Sequence, residues 1–346
     1  MWTKNSSVII FAMLKGERLI IIAEVEPVPK TVLIFQGLSR PPQNGEGFEQ
    51  TSRLYRISPA ARRVRDEAQI ILGIPALTIK KNNYEKLQEQ GIYLTADFVN
   101  MLALLEAVKE ARPDFRADHI AYHSQGNFAA MEAAGCIGRT QTLYLAKKHE
   151  ECLLEANKQN PGGLIALARD WSQLLIEEFG LEIAAILSGD KVVIGGTLRN
   201  LDAARARLRK EKVGFIDLNL GGAFHTSLME PAQEKFFGII SGIDIKAPQI
   251  PLTSNIDNRR SLITAVQVRE EAVKQITATL QQPSIGNFDE NALVVEISGK
   301  GLTIRNKIKE KILTKKVTLT SAATIAAAFA GIYLWRRHQH LDKSKN

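Results

Sequence analysis

The sequence predicts an α/β fold in which helices cover a parallel sheet, with a small βαββαβ unit set into it. Three patterns carry that expectation. Residues 96–111 (ADFVNMLALLEAVKEA) have helical periodicity, the short apolar run 120–122 reads as a strand, and small and apolar residues recur at helical spacing from Phe128. Helix feeding strand feeding helix is the rhythm of a parallel sheet. From 163 to 220 the units shorten to strand, helix, two strands, helix, strand, which is the order of a ferredoxin-like subdomain.

The elements follow in order. SVIIFAML and RLIIIAEVE flank Lys15-Gly16-Glu17 and predict a β-hairpin, with no leader pattern of basic, apolar and small-residue regions across the first thirty residues. TVLIF (31–35) is a buried-strand pattern ending in a glycine-bearing turn, Gln36-Gly37-Leu38-Ser39. Helical periodicity broken by loops runs from 48 to 113, with 96–111 as its clearest amphipathic helix, and a further helix is predicted over 141–157. The subdomain reads as strands at GLIALAR, LEIAAIL, KVVIGG and GFIDLNL, and helices at SQLLIEEFG and LRNLDAARARLRKEK. Beyond it come the turn 221–231 (GGAFHTSLMEP), a helix over 232–243, a strand ending in LTSNID, a helix over 266–280 and a final strand, ALVVEISG. The domain expectation is an N-terminal hairpin (1–30), a core of 31–160 and 221–312, the subdomain at 161–220, and a basic linker, helix and tail at 313–346.

That last segment holds nineteen residues without a charge, 317–335, between Lys315-Lys316 and Arg336-Arg337. It is near the minimum length of a membrane span, with Tyr333 and Trp335 where an interface would lie, although its Ala and Thr content makes it marginally apolar. A tail anchor leaving the body in the cytoplasm is the expectation, against a helix packed on the domain.

Composition narrows the classes. Two cysteines, Cys136 and Cys152, without a CxxC or a His/Cys cluster, suggest neither a disulfide framework nor a structural zinc. A formal charge of +8 favours an acidic partner, but no stretch interleaves Lys/Arg with aromatics, so nucleic acid is not expected.

Strand, His123-Ser124-Gln125-Gly126, helix is the outline of a nucleophile elbow, in which a sharp turn lifts a serine hydroxyl clear of the backbone above a helix N-terminus. Ser124 is the candidate nucleophile; the alternative is a buried serine opening a structural helix. The pattern departs from the usual elbow at Tyr122, where a glycine is common. A serine needs a base. His338 and His340 lie in the basic tail and His119 precedes the strand, whereas His225 sits in a turn freed by Gly221 and Gly222. His225 is the favoured base, with a structural histidine as the alternative.

Read together, these motifs resemble the malonyl-CoA:acyl-carrier-protein transacylases and the acyltransferase domains of polyketide synthases. YHSQGN with Phe128-Ala129-Ala130 and Ala133-Ala134-Gly135 is similar to the family's elbow, and Phe224 to Ala232 (FHTSLMEPA), 101 positions after Ser124 at its histidine, is similar to its second signature. GGLIALA, VVIGGT, SNID, VREEAVKQI and ISGKGLT are further echoes, and the likeness covers residues 31 to 312. It implies a parallel-sheet, hydrolase-like acyltransferase core with the ferredoxin-like insertion. It also implies Ser124 as nucleophile, His225 as base and then acid, and Gln275 as the residue whose carbonyl steadies the histidine. The backbone amides of Gln125 and Leu38 would hold the oxyanion, and Gly37, His123 and His149 would line the substrate.

Two departures follow from the same likeness. The family's first turn reads FPGQG where this chain has FQGLS, so the glutamine after the glycine is missing, and His149 stands where the family has an arginine for the free carboxylate of malonate. Histidine cannot form that bidentate fork and is largely neutral at pH 7. Lys147 and Lys148 are adjacent but on other faces of the predicted helix, so either the acyl group is uncharged, or malonate is held weakly by His149 and a neighbour. The implied activity is ping-pong transfer of a malonyl or other short acyl group from coenzyme A to an acyl carrier protein, in fatty acid or polyketide synthesis, without metal or bound cofactor. The rivals are a serine acyl hydrolase or thioesterase, and a catalytically silent, membrane-attached homologue.

Overall fold

The structure is a computed structural model describing residues 6–15, 18–27, 30–38, 49–74, 84–187, 189–283, 288, 292–308 and 311–317. The predicted hairpin is present: β1 (Ser6–Lys15) and β2 (Arg18–Pro27) pair antiparallel in a register that sets Lys15 opposite Arg18. Next come β3 (Thr31–Phe35), α1 (Glu49–Ile57), α2 (Pro59–Leu72), α3 (Tyr84–Glu89), α4 (Tyr93–Ala111), β4 (His119–Tyr122), α5 (Gly126–Ala133) and α6 (Arg139–Gln159). The middle of the chain holds β5 (Gly162–Ala168), α7 (Ser172–Phe179), β6 (Glu182–Ile186), β7 (Lys191–Thr197), α8 (Leu198–Lys210) and β8 (Phe215–Asp217). After it follow α9 (Glu230–Ser241), β9 (Leu252–Thr253), β10 (Ser261–Leu262), α10 (Ala265–Lys274), β11 (Leu280–Gln281), β12 (Leu293–Ser298), β13 (Gly301–Ile308) and β14 (Lys311–Val317).

The main sheet has the order β10-β9-β4-β3-β12-β13-β14. Its centre, β9, β4, β3 and β12, is parallel as expected, and antiparallel strands close both edges. Strand alternation divides the side chains between two faces: Leu33, Phe35, Ile120 and Tyr122 join the large core, while Val32, Ile34, Ala121 and Val294 pack on the other side. A parallel sheet leaves its carboxyl ends free of hairpins, so the turns after β3 and β4 meet at one edge.

Five expectations need correction. The helix over 96–111 begins earlier, at Tyr93, and over its first thirteen residues, 93–105, it is buried all round rather than amphipathic: Asp97 and Asn100 are as inaccessible as Leu102. It lies between α2, α6, α5 and the sheet, so only its last turn, at Lys109 and Glu110, reaches solvent. ALVVEISG is not the final strand, because a tight turn pairing Ser298 with Gly301 returns the chain into β13 and then β14. Val317, the first residue of the charge-free run, closes β14 opposite Leu302 instead of opening a helix. The remainder of that run lies outside the described residues, among which no helix is long and apolar enough to cross a membrane. Finally, the helix expected over 266–280 stops at Lys274, and GFIDLNL is a strand only over Phe215–Asp217.

The insertion has the ferredoxin-like order, β6-β7-β5-β8, with β11 added parallel to β6 at the edge. One face carries Ile165, Leu167 and Ile194 against α7 and α8 in a core of its own. The opposite face presents Leu164, Ala184, Ala185 and Val193 to the main core. A single alternating pattern therefore supplies both a small core and a wall for the rest of the molecule.

Candidate active site

Ser124 sits at the turn between β4 and α5 with φ of 49°, the left-handed region that costs a side-chain-bearing residue about 1 kcal/mol or more. Short bonds hold it there: His123 N–H donates to the Phe35 carbonyl at 2.9 Å and Gly126 N–H to the His123 carbonyl at 3.0 Å. Glycine is required at 126, since a Cβ there would lie 2.4 Å from the Phe35 oxygen. Gly37 is equally close to the elbow, its would-be Cβ 3.2 Å from that of Ser124. Tyr122 does not crowd the turn, because strand alternation turns its ring into the core.

His225 also adopts a left-handed backbone, φ 64°. Its N–H donates to the Ile276 carbonyl at 3.0 Å, and two residues on, Ser227 N–H and Oγ donate to the Glu182 carboxylate at 3.0 and 2.5 Å. The turn bearing the histidine is thus tied both to the end of α10 and to β6. In this position His225 Nε2 lies 2.9 Å from Ser124 Oγ, and Nδ1 lies 2.6 Å from the Gln275 carbonyl oxygen. A carbonyl only accepts, so Nδ1 carries the proton and Nε2 is left to accept from the serine hydroxyl. Burial pushes the imidazole down to about 4, and the Gln275 carbonyl partly opposes this. It is therefore an unprotonated base at neutral pH.

The early end of α10 makes this geometry available. Had the helix run on, the Gln275 carbonyl would have been taken by the helical ladder. Instead Gln275 caps it, and Asn255 Nδ2 donates to the Gln275 side chain at 3.1 Å. Asn255 is in turn fixed by Glu271, whose Oε1 accepts from Ser254 Oγ, Asn255 N and Ile256 N at 2.7, 2.7 and 3.0 Å.

The pair opens into a cavity of about 330 Å³. Gly37, Leu38, His123, Gln125 and His149 line it together with Ser124 and His225, so the structure brings every expected residue to one place, with Gln275 behind the histidine. Gln125 is held by its side chain, which donates to the Leu94 carbonyl. Leu94 is held in turn by Glu150, whose carboxylate accepts from the amides of Leu94 and Thr95 at 2.9 and 3.0 Å. His119 lies apart, 2.5 Å from Thr253 Oγ1. Both cysteines are buried, their thiols pushed up to about 11, which leaves them poor nucleophiles. Among the described residues no cluster of His, Cys, Asp and Glu could hold a metal ion.

Sequence reasoning does not reach Glu182, Glu271 and Glu150, since a buried carboxylate that holds backbone amides has no motif. It also misses Gln282 and Ser298 on the cavity wall.

A strained serine hydroxyl bonded to a neutral, tautomer-fixed imidazole beside an apolar cavity is the arrangement of an acyl-transferring serine enzyme. Comparison with known proteins agrees. Residues 79–320 match the model of the acyl transferase domain, and the chain belongs to that family. It is 28% identical over 271 residues to the malonyl CoA-acyl carrier protein transacylase of Bacillus subtilis, covering 74% of this chain and 82% of that one. The crystal structure of the transacylase of that name from Burkholderia pseudomallei superposes with a TM-score of 0.60 at 25% identity, covering 73% of this chain and 85% of that chain. A malonyl-transacylase in complex with its type II polyketide-synthase acyl-carrier protein has the same fold, with a TM-score of 0.63 at 19% identity, covering 73% and 82%.

Proposed function

We propose that the chain moves a short acyl group from coenzyme A to the phosphopantetheine thiol of an acyl carrier protein, through an ester on Ser124. The observation that carries this is the 2.9 Å contact from Ser124 Oγ to a His225 nitrogen whose partner nitrogen is held by Gln275. In the first step Ser124 Oγ bonds the thioester carbonyl carbon while its proton passes to His225 Nε2. The carbon–sulfur bond then breaks, and the proton moves from Nε2 to the leaving thiolate, releasing coenzyme A. In the second step the carrier thiol gives its proton to Nε2 as its sulfur bonds the ester carbon. The carbon–oxygen bond breaks and Ser124 recovers the proton. These steps balance without a resident cofactor.

The backbone amides of Gln125 and Leu38 are the donors for the oxyanion in each step; that both residues line the cavity beside Ser124 supports the reading. Relatives named for malonyl transfer and for polyketide synthesis support a role in fatty acid or polyketide assembly. The carrier is an acidic protein in this reading, consistent with the formal charge of +8. Intact-mass measurement after mixing with acyl-coenzyme A donors tests it: the native chain gains one acyl mass and Ser124→Ala gains none. Persistence of that ester until carrier is added separates a transferase from an acyl hydrolase.

Attachment to the cytoplasmic face of a membrane is a separate part of the proposal, resting only on the charge-free run 317–335. Retention of the full chain in alkali-washed membranes tests it.

A further inference from the structure

Behind the reacting pair lies a second set of polar side chains. Tyr122, Asn255, Glu271 and Gln275 are all buried, and none of them lines the cavity. Asn255 follows β9, which runs parallel to β4 with Leu252 level with Ile120, so the chain leaves β9 beside the elbow that leaves β4. From there its side chain reaches the other half of the pair: Asn255 Nδ2 donates to Gln275 Oε1 at 3.1 Å, and the Gln275 carbonyl holds His225 Nδ1 at 2.6 Å. Two elbow residues feel the same hub. Burial pushes the His123 imidazole down to about 4, with His225 acting in the same sense and the Asn255 side chain opposing both. Tyr122 stands where an elbow commonly has glycine. Its phenol is pushed well up by burial and then by the Glu271 carboxylate, with the Asn255 backbone opposing. The backbone of Asn255 is itself fixed on both sides. Its N–H donates to Glu271 Oε1 at 2.7 Å, and its carbonyl accepts from Gln281 N–H at 2.8 Å.

We infer that Asn255 is a positioning residue for acyl transfer, bridging the elbow of Ser124 and the Gln275 turn so that His225 Nε2 stays within reach of the hydroxyl through both half-reactions. The inference rests on the acyl-enzyme reading above and adds a residue that acts from outside the cavity. A base held by a carbonyl instead of a carboxylate has no ionic attraction to keep it in line, so its placement depends on how firmly that carbonyl is fixed. Asn255 fixes it through the side chain of the same residue. The residue type fits the task. Gln275 Oε1 only accepts, so its partner must donate. A lysine or arginine would donate as well, but its charge would disfavour the imidazolium that forms when Nε2 takes the serine proton. An amide donates without that penalty. Because Asn255 does not line the cavity, it acts on the rate of the step and not on the affinity for the donor.

The test is single-turnover acylation of the full chain, read by intact mass over a range of donor concentrations, with whichever of acetyl-, butyryl- and malonyl-coenzyme A acylates the native protein fastest. Asn255→Leu keeps the branched outline of the side chain without its amide, and Gln275→Met removes the side-chain acceptor while keeping the backbone carbonyl. Each is expected to lower the saturating rate by about tenfold to a hundredfold, the cost of a small misplacement at the reacting atoms. The half-saturating donor concentration should stay within about twofold of native. The double variant should lose no more than either single one, because both break the same link. Nitrogen NMR of labelled histidine should show the His225 proton on Nδ1 in the native chain and a second tautomer in Asn255→Leu. A native rate in folded Asn255→Leu overturns the inference. So does a double variant whose loss is the product of the two single losses, or a rate loss matched by a rise in half-saturating concentration. If Asn255→Leu does not fold, Gln275→Met decides: the expected loss upholds the link, and a native rate with an unchanged tautomer overturns it. No ester from any of the three donors on the native chain removes the acyl-enzyme reading and the inference with it, an outcome distinct from a loss confined to the variants.

Discussion

The two sides of the cavity are built by different means. The core side, made from the ends of β3 and β4 and the turns at 225 and 275, presents strained backbone and a chain of fixed hydrogen bonds. The subdomain side contributes Leu164, Ala184, Ala185 and Val193, all in strands with no left-handed residue and none able to exchange a proton. The difference teaches that chemistry and selection are separable here. The core side holds the proton-exchanging pair, and the subdomain side only shapes the cavity beside it.

Removing the chemistry should break that division most sharply. Ser124→Ala is expected to lower acylation by about a thousandfold or more for every donor alike, with unchanged circular dichroism. His225→Ala should cost about a hundredfold to ten-thousandfold, again without donor preference, as read by single-turnover acylation.

Acid should act on the same side. His225 is neutral above about pH 4, so acylation is expected to hold steady from pH 8 to 6 and to fall tenfold per unit below about 4. Stability should decline earlier. The buried His123, His149 and His225 have folded values of about 4, 3 and 4, below an unfolded value of about 6.5. The unfolded chain therefore takes up protons first, and the melting temperature should drop as pH falls from about 6.5 to 4.

The subdomain can then be probed in two places. Leu175→Ala, in the small core under α7, should cost about 2–5 kcal/mol in denaturant unfolding and leave the ranking of donors intact. Val193→Phe, on the other face of the same sheet, should narrow the cavity and shift preference from butyryl to acetyl by about tenfold. A change in donor ranking with Leu175→Ala, or a uniform loss of rate with Val193→Phe, would refute the separation.

Much of this was legible in the chain because local rules carry it. A short apolar run broken by His-Ser-Gln-Gly and followed by small residues reads as strand, tight turn and helix. The alternation within 163–220 likewise reports two faces before any contact is known. The failures share a cause. The stretch 96–111 reads as an amphipathic helix because its polar positions suggest solvent, yet Asn100 bonds to Tyr55 inside the protein, and Thr95, just before it, to Glu150. The helix ending at Lys274 reads as longer because nothing in TATL forbids another turn.

The sequence by itself marked the order of most elements and Ser124 as the candidate nucleophile, since periodicity, turn residues and spacing act over a few neighbouring positions. Only the tertiary structure decided that an imidazole 101 residues away meets the hydroxyl, that a carbonyl at a helix end fixes its tautomer, and that His149 lies neutral between two aromatic rings. Those outcomes depend on distance, burial and the removal of water, which are properties of the packed chain and of no short stretch within it.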